Sequence, residues 1–189
     1  MALRGISEAA HGSAKISNLG QNRISSDDGR QYVHSGLIGR VVSGHRYLLA
    51  ASPDYLASHQ PIESPLDLLQ HSCLLYKGQQ GAQRWYFKTT SDEPFRTLDV
   101  RGSMKSNNAE VLVAAALAGQ GIVLFPSWLF TPASFKEESL IKLLPEWELS
   151  ASVEDMYVQL LSPQNRLRSR KVREVSAFLL KEIGTPPYW

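Results

Sequence analysis

Two short polar segments hold the residues whose types and spacing best suit binding chemistry. Residues 106–108 stand directly before an apolar stretch, and residues 125–127 end the next apolar run. The candidate ligand contacts are Ser106, Asn107, Asn108, Phe125, Pro126 and Ser127. If residues 106–108 begin a helix, its unpaired amides and the positive end of its dipole suit a carboxylate or another anion. The asparagines could also serve only as helix caps, and the sequence leaves both interpretations open.

Hydrophobic periodicity predicts the elements that would position these residues. Apolar and polar residues alternate over 98–105, which is the period expected of a strand with one buried face. Asn107 can act as the N-cap of the following helix, and Glu110, three residues later, can complete a capping box. Such a helix start would hold residues 106–108 at the end of the strand.

The predicted helix and the apolar run after it complete a strand, helix and strand unit. Residues 111–118 are apolar on every side, which favours a helix packed between a sheet and other elements. Gly119 and Gly121 end it, and residues 122–125 are predicted to form the second strand. Strands joined in this way cross over with right-handed, parallel geometry. The helix start and the end of the second strand therefore meet at one sheet edge, where ligands bind in open α/β sheets.

Eight sequence segments, one of which contains the strand, helix and strand unit, occur in the order in which they occur in one family. The chain resembles the C-terminal effector-binding part of LysR-type transcriptional regulators. The matching segments are 35–40 (SGLIGR), 47–56 (YLLAASPDYL), 65–76 (PLDLLQHSCLLY), 84–87 (RWYF), 102–128 (GSMKSNNAEVLVAAALAGQGIVLFPSW), 140–147 (LIKLLPEW), 171–180 (KVREVSAFLL) and 186–189 (PPYW). The resemblance implies an α/β fold like that of type 2 periplasmic binding proteins, with two lobes and a ligand cleft, the second lobe complete and the first partial.

The resemblance also implies how the chain works and what it binds. Its partners would be a small-molecule effector, with a carboxylate as one candidate, and further subunits, as a homodimer or tetramer in the intact regulator. DNA would be bound only through a winged helix-turn-helix domain, and no helix-turn-helix pattern is present in this sequence. At the second-lobe rim, the family motif coincides with the two polar segments.

The resemblance divides the chain into three parts. Residues 1–34 have too few apolar residues in period for a strand, and we expect a disordered lead or a tag. Residues 35–151 are expected to form the second lobe with its hinge, and residues 152–189 to return to the first lobe. Residues 156–161 predict a strand of that return, and the final helix has an apolar face in need of a partner. A truncated first lobe would leave a strand edge exposed.

Composition restricts the function classes. At 189 residues and 43% hydrophobic, the chain can bury one core of ordinary domain size. A net charge of +2 is too small to indicate nucleic-acid binding by itself. The single Cys73 excludes an internal disulfide, and its apolar neighbours predict a buried thiol. Neither a signal peptide nor a membrane-spanning run is recognisable, which favours a cytoplasmic protein.

Catalytic and metal-binding patterns are weak. The strongest candidate metal cluster, His59, His71 and Cys73, lies in a segment predicted to be helix and then strand. The sequence contains neither a Gly-x-Ser-x-Gly elbow nor a phosphate-binding glycine loop. We therefore expect no enzyme activity, no cofactor and no metal.

One basic cluster stands at the start of the final helix. Its members are Arg166, Arg168, Arg170, Lys171 and Arg173. A solvated surface is the simpler interpretation, and a phosphate site is the alternative.

Two other functions compete with that of an effector-binding domain. A non-functional remnant of a regulator would lack one wall of the cleft. An independent solute-binding α/β protein would be expected to have a secretion signal, or a catalytic constellation if it were an enzyme.

Overall fold

The computed structural model describes residues 30–33, 36–78, 81–90, 92–102, 104–130, 135, 137, 139–185 and 187. The chain divides into two compact units: unit 1 comprises Met1–Val42 and Gln159–Glu182, and unit 2 comprises Ser43–Val158 and Ile183–Trp189. The strands are β1 (Arg30–Val33), β2 (Leu37–Gly44), β3 (Tyr47–Ala51), β4 (Leu75–Gly78), β5 (Gly81–Ala82), β6 (Trp85–Lys88), β7 (Arg96–Leu98), β8 (Lys105–Ser106), β9 (Val123–Pro126), β10 (Ile141–Leu143), β11 (Glu148–Ser150) and β12 (Tyr157–Pro163). The α-helices are α1 (Pro53–Ala57), α2 (Ala109–Leu117) and α3 (Arg170–Ile183), and 3₁₀ turns span Pro65–Gln70, Ser127–Leu129 and Gln164–Arg166.

A three-stranded sheet in the order β1, β2, β12 belongs largely to unit 1. The predicted return strand is confirmed as β12. The prediction that residues 1–34 contain no strand is wrong for β1, which pairs antiparallel with β2 from Arg30 opposite Arg40 to Val33 opposite Leu37. Backbone pairing with a neighbouring strand forms β1 although its own sequence does not alternate. Residues 1–29 and 34 lie outside the described residues.

The sheet of unit 2 contains the predicted crossover. Strand β3 pairs antiparallel with both β9 and β10. A parallel bridge between Cys73 and Ile122 joins β9 to the chain entering β4, and β4 pairs parallel with β8. Strands β8 and β9 therefore run parallel, with α2 between them in sequence and β4 between them in the sheet, as predicted. A second small sheet has the order β11, β6, β7.

The single strand predicted over 98–105 is wrong. Strand β7 ends at Leu98 and pairs with β6, whereas β8 begins at Lys105 and pairs with β4. Between them, the Cys73 N–H donates to the Arg101 carbonyl at 2.8 Å, and the chain passes so close that a Cβ on Gly102 would lie 1.6 Å from the Cys73 carbonyl oxygen. Period-two alternation shows which residues face the core, but not where a strand changes its partner.

Two apolar clusters fill the two faces of the unit 2 sheet. Leu49 and Leu124 belong to one cluster, while Ala50, Val123 and Phe125 belong to the other. Because both faces are covered, β3 and β9 are continuous apolar runs rather than alternating ones. The sheet is thus packed on both faces and positions the chain segments at its edges.

Helix α2 covers the second cluster with only one of its faces. Leu112 and Ala116 are fully buried there, but Val111 is 43% exposed and Leu117 is 40% exposed. The prediction of a helix packed on every side is therefore wrong. Alanine side chains are small enough to be exposed to solvent at little cost, so the apolar composition of residues 111–118 led to too high a prediction of helix burial.

Helix α3 has the exposed apolar face that its sequence predicts. Val175 is 58% exposed, Phe178 is 60% exposed and Leu179 is 39% exposed. Among the described residues, no helix combines the length and apolar character that a membrane crossing requires.

Candidate functional site

Three parallel strands bring the two polar segments to one edge of the unit 2 sheet. On β4, Tyr76 pairs with Ser106 on one side, and its ring meets the Phe125 ring edge to face at 6.3 Å on the other. With adjacent strands about 4.8 Å apart, Ser106 and Phe125 lie roughly 10 Å from each other. We call this site the polar edge, and define it as Arg46, Tyr47, Lys77, residues 106–108 and residues 125–127.

The start of α2 is capped by Asn108, and the prediction of Asn107 as N-cap is wrong. Asn108 has an extended backbone, and its Oδ1 accepts from the Glu110 N–H at 2.9 Å and from the Val111 N–H at 3.3 Å. Ser106 supports the turn, since its Oγ accepts from the Asn108 N–H at 3.1 Å. Glu110 thus stands two residues after the cap, where it cannot complete a capping box.

This shift of the cap separates the roles of the two asparagines. The Asn108 side chain is occupied with the helix, whereas the Asn107 side chain is exposed and has no hydrogen bond to any described residue. The Asn108 Oδ1 already satisfies two amides of the first turn. A ligand at this end would therefore meet the Asn107 amide group and the Ala109 N–H.

The second polar segment closes the opposite side of the polar edge. Phe125 is buried, with 4% exposure, so its ring packs in the core beneath the polar residues and does not reach solvent. Pro126 pairs with Tyr47, and the Ser127 N–H donates to the Arg46 carbonyl at 2.8 Å. The Ser127 side chain is half-buried. Residues 125–127 are therefore fixed in place by the start of β3.

Sequence reasoning missed the residues that β3 and β4 contribute to this edge. Arg46 and Lys77 are exposed there, and Lys105 on β8 adds a third cation close by. Glu110 in the first turn of α2 carries the opposing carboxylate. Because β3 is antiparallel to β9, its first residues lie where β9 ends, and this register could not be inferred from composition or periodicity.

The His45 imidazole lies next to the polar edge and close to two aromatic rings. The His45 ring is 5.0 Å from the Tyr47 ring and 6.2 Å from the Trp128 ring. Burial lowers the pKa of His45 and raises the pKa of Tyr47 to about 12, so both are neutral at physiological pH. The His45 Nε2 atom is buried and has no hydrogen-bond partner among the described residues. The imidazole therefore keeps one buried ring nitrogen unpaired within the described part of the chain.

The three residues considered as a metal cluster are engaged elsewhere. His59 Nδ1 lies 2.7 Å from the Tyr55 carbonyl, and His71 Nδ1 lies 3.2 Å from the Tyr55 hydroxyl. Burial raises the pKa of Cys73 to about 12, which keeps the thiol protonated and a poor metal ligand. Within the described part of the chain, no group of three or more histidine, cysteine, aspartate or glutamate side chains could hold a metal ion.

Comparison with known proteins identifies transcriptional regulators as relatives of this chain. The transcriptional activator TtdR of Escherichia coli K12 is 26% identical over 149 residues, which cover 79% of this chain and 47% of that protein. The regulator DmlR of the same strain is 29% identical over 132 residues, covering 70% and 42%. The regulator PtxR of Pseudomonas aeruginosa is 25% identical over 154 residues, covering 82% and 47%. The chain spans about half the length of the curated relatives it matches.

Solved structures give the same result for the fold. The regulatory domain of AphB from Vibrio vulnificus matches with a TM-score of 0.63 at 25% identity, over 79% of this chain and 71% of that one. CrgA, a LysR-type regulator from Neisseria meningitidis, matches with a TM-score of 0.65 at 25% identity, over 82% and 50%. The predicted α/β fold of a LysR regulatory domain is confirmed.

A family model, that of the LysR substrate binding domain, also matches the chain. It matches residues 27–184, and therefore most of the chain, including β1, which the sequence resemblance did not reach. By this match the chain belongs to the LysR substrate binding domain family.

Proposed function

We propose that the chain senses a small carboxylate at the polar edge and acts as the effector-binding part of a transcriptional regulator. The observation that carries the proposal is the meeting of the α2 start with Arg46, Lys77 and residues 125–127 at one sheet edge. Free helix amides and exposed cations attract an anion, and half-buried polar side chains orient it. Family membership supports the same role.

In this proposal each side of the polar edge has a distinct task. The Asn107 side chain and the Ala109 N–H bind the carboxylate, and Arg46 and Lys77 supply attraction at longer range. The Ser127 hydroxyl and the Tyr47 side chain contact the remainder of the ligand. Ser106, Asn108, Phe125 and Pro126 hold these groups in position.

We propose that binding is reversible and that the chain catalyses no reaction. A ligand changes a regulator only through different affinities for two conformations or assemblies, so binding must favour one of them. In the intact regulator, subunits would form a homodimer or tetramer in the cytoplasm. A helix-turn-helix domain outside this sequence would contact DNA, since relatives such as TtdR are named as transcriptional regulators of the helix-turn-helix type.

The domain limits predicted from the sequence remain part of the proposal. Residues 35–151 would form the effector-binding lobe with its hinge, and residues 152–189 would return to the other lobe. The division of the structure into units at Val42 and Gln159 offers a physical basis for choosing fragment boundaries.

Thermal unfolding with matched ligands tests the proposal. We expect benzoate, salicylate or succinate to raise the unfolding temperature, because a ligand that binds the folded state stabilises it by mass action. The neutral amide of the same acid serves as the control and should have a much smaller effect. Equal effects of an acid and its amide would refute carboxylate recognition, and a response unchanged by Asn107→Ala would refute the site.

A further inference from the structure

Unit 1 contains a groove that the polar edge does not use. It lies between the sheet strands β2 and β12 and the helix α3, and its volume is about 680 Å³, within the range of small-molecule sites. The lining residues are Ile38, Arg40, Leu160, Ser162, Leu167, Val172, Arg173, Ser176 and Ala177. All of them belong to unit 1, so the groove is a property of that unit alone.

The sheet side of the groove has a mixed apolar and polar surface. The Gln164 N–H donates to the Gly36 carbonyl at 2.8 Å, which sets the end of β12 beside the start of β2 and makes these neighbours antiparallel. Ile38 and Arg40 are two residues apart on β2, and Leu160 and Ser162 are two residues apart on β12, so each pair shares one face of its strand. All four line the groove, which places them on the same side of the sheet.

The helix side offers the same combination. Val172 and Ser176 are one turn apart on α3, and Arg173 and Ala177 form the adjacent pair, so all four lie on one stripe. Val172 and Ser176 are partly exposed, and α3 has no buried residue. The apolar floor of the groove is therefore open to solvent in the described part of the chain.

The charged residues of the described groove lining have one sign. Arg40 and Arg173 both line it, neither forms a salt bridge with a described residue, and none of the described lining residues is a carboxylate. Glu174, the nearest acidic residue in sequence, is bound by Arg170 at 2.7 Å. A guanidinium can bind a carboxylate with two parallel hydrogen bonds. A guanidinium that has no carboxylate partner and lies beside an apolar surface therefore attracts an anion.

The basic cluster at the start of α3 reinforces this charge. Arg166, Arg168, Arg170 and Lys171 are exposed and alternate in sequence with or directly precede the lining residues Leu167 and Val172, and a concentration of like charge raises the local concentration of anions. The basic cluster is thus next in sequence to the helical side of the groove. The apolar floor favours a ligand with an apolar body over inorganic phosphate.

We propose that this groove binds a monocarboxylate with a short apolar tail. The carboxylate lies between Arg40 and Arg173 and accepts from the Ser162 and Ser176 hydroxyls. The tail covers Ile38, Leu160 and Val172. The site is separate from the polar edge and does not depend on the function proposed there.

The test uses the full chain and two probes that differ only in the charged group. Calorimetry should show saturable binding of 4-phenylbutyrate, at least about tenfold tighter than that of 4-phenylbutanol, since the alcohol cannot form the charge-assisted hydrogen bonds. Nuclear magnetic resonance of methyl-labelled protein should show the largest ligand-induced shifts at Leu160 and Val172. Asn107→Ala should leave this binding unchanged, which separates it from the polar edge.

Variants identify the responsible arginines. Arg173→Gln and Arg40→Gln should each weaken 4-phenylbutyrate binding about tenfold and leave the alcohol unaffected, whereas Arg168→Gln, outside the lining, should change little. Arg173→Lys keeps the charge but not the paired hydrogen bonds, and should bind with intermediate affinity. Circular dichroism checks that every variant is folded.

Three outcomes would overturn the proposal. Equal binding of acid and alcohol would show simple apolar adsorption. An Arg168→Gln loss as large as that of Arg173→Gln would show diffuse charge attraction without a site. Failure of 4-phenylbutyrate to bind the folded chain would leave the groove as a surface for a protein segment instead.

Discussion

Replacing each of the two asparagines at the start of α2 with alanine separates a structural role from a ligand-binding role. Asn108→Ala removes two hydrogen bonds to the first helical turn, at 2.9 and 3.3 Å, and lowers the free energy of unfolding by about 1 kcal/mol. The exposed position of the cap places the loss at or below the middle of the usual range. For a chain of this size, that loss lowers the unfolding temperature by about 2–4 °C.

Asn107→Ala should have the opposite profile. Its side chain has no hydrogen bond to a described residue, so stability should change by less than about 0.5 kcal/mol, while affinity for a carboxylate falls. Urea unfolding measures stability, and calorimetry measures affinity. Asn108→Asp is the control, because aspartate is an equally good cap and should keep the stability of Asn108.

Two results would refute this reasoning. If Asn107→Ala destabilised the chain as much as Asn108→Ala, the cap would be shared between the asparagines and Asn107 would have no separate role. If Asn108→Asp lost the same stability as Asn108→Ala, the side-chain oxygen would not be the stabilising group.

Three further predictions follow from packing and pKa. Gly102→Ala should cost at least about 3 kcal/mol or prevent folding, because its Cβ would strike the Cys73 carbonyl, whereas Gly44→Ala, with open space around it, should be tolerated in urea unfolding. Iodoacetamide at pH 8 should label Cys73 only after denaturation, and rapid labelling of the folded chain would contradict the burial that raises its pKa to about 12. Burial lowers the pKa of His45 below 6.5, and burial together with the nearby His59 lowers the pKa of His71 below 6.5. Between pH 6.5 and pH 5 the unfolded chain therefore binds more protons than the folded chain, so stability should be full above pH 6.5 and fall towards pH 5. A urea midpoint that does not change over this range would exclude the effect.

The sequence predicted the crossover unit because each of its parts has a strong local signal. The apolar run that begins α2, the glycines after it and the apolar β9 specify helix and strand without reference to distant residues. The choice between Asn107 and Asn108 could not be predicted. Both are good caps, and only the backbone angles at Asn108 decide which one accepts the amides.

The polar edge was only half predictable for a related reason. Residues 106–108 and 125–127 follow local elements, so their meeting could be derived from the parallel crossover. Arg46 and Tyr47 reach the same edge through antiparallel pairing of β3 with β9, and Lys77 through β4 lying between β8 and β9. Sheet order and register depend on contacts far apart in sequence, which periodicity does not encode.

The most direct test of carboxylate sensing at the polar edge is to map the bound ligand. Isotope-labelled protein would be titrated with benzoate, salicylate and succinate and followed by amide resonances. If the polar edge binds a carboxylate, one of these acids should shift the resonances of the Asn107 side-chain amide, the Ala109 N–H and the Ser127 N–H together, and Asn107→Ala should abolish these shifts. Saturable shifts confined to unit 1, or none with all three acids, would contradict the proposed site.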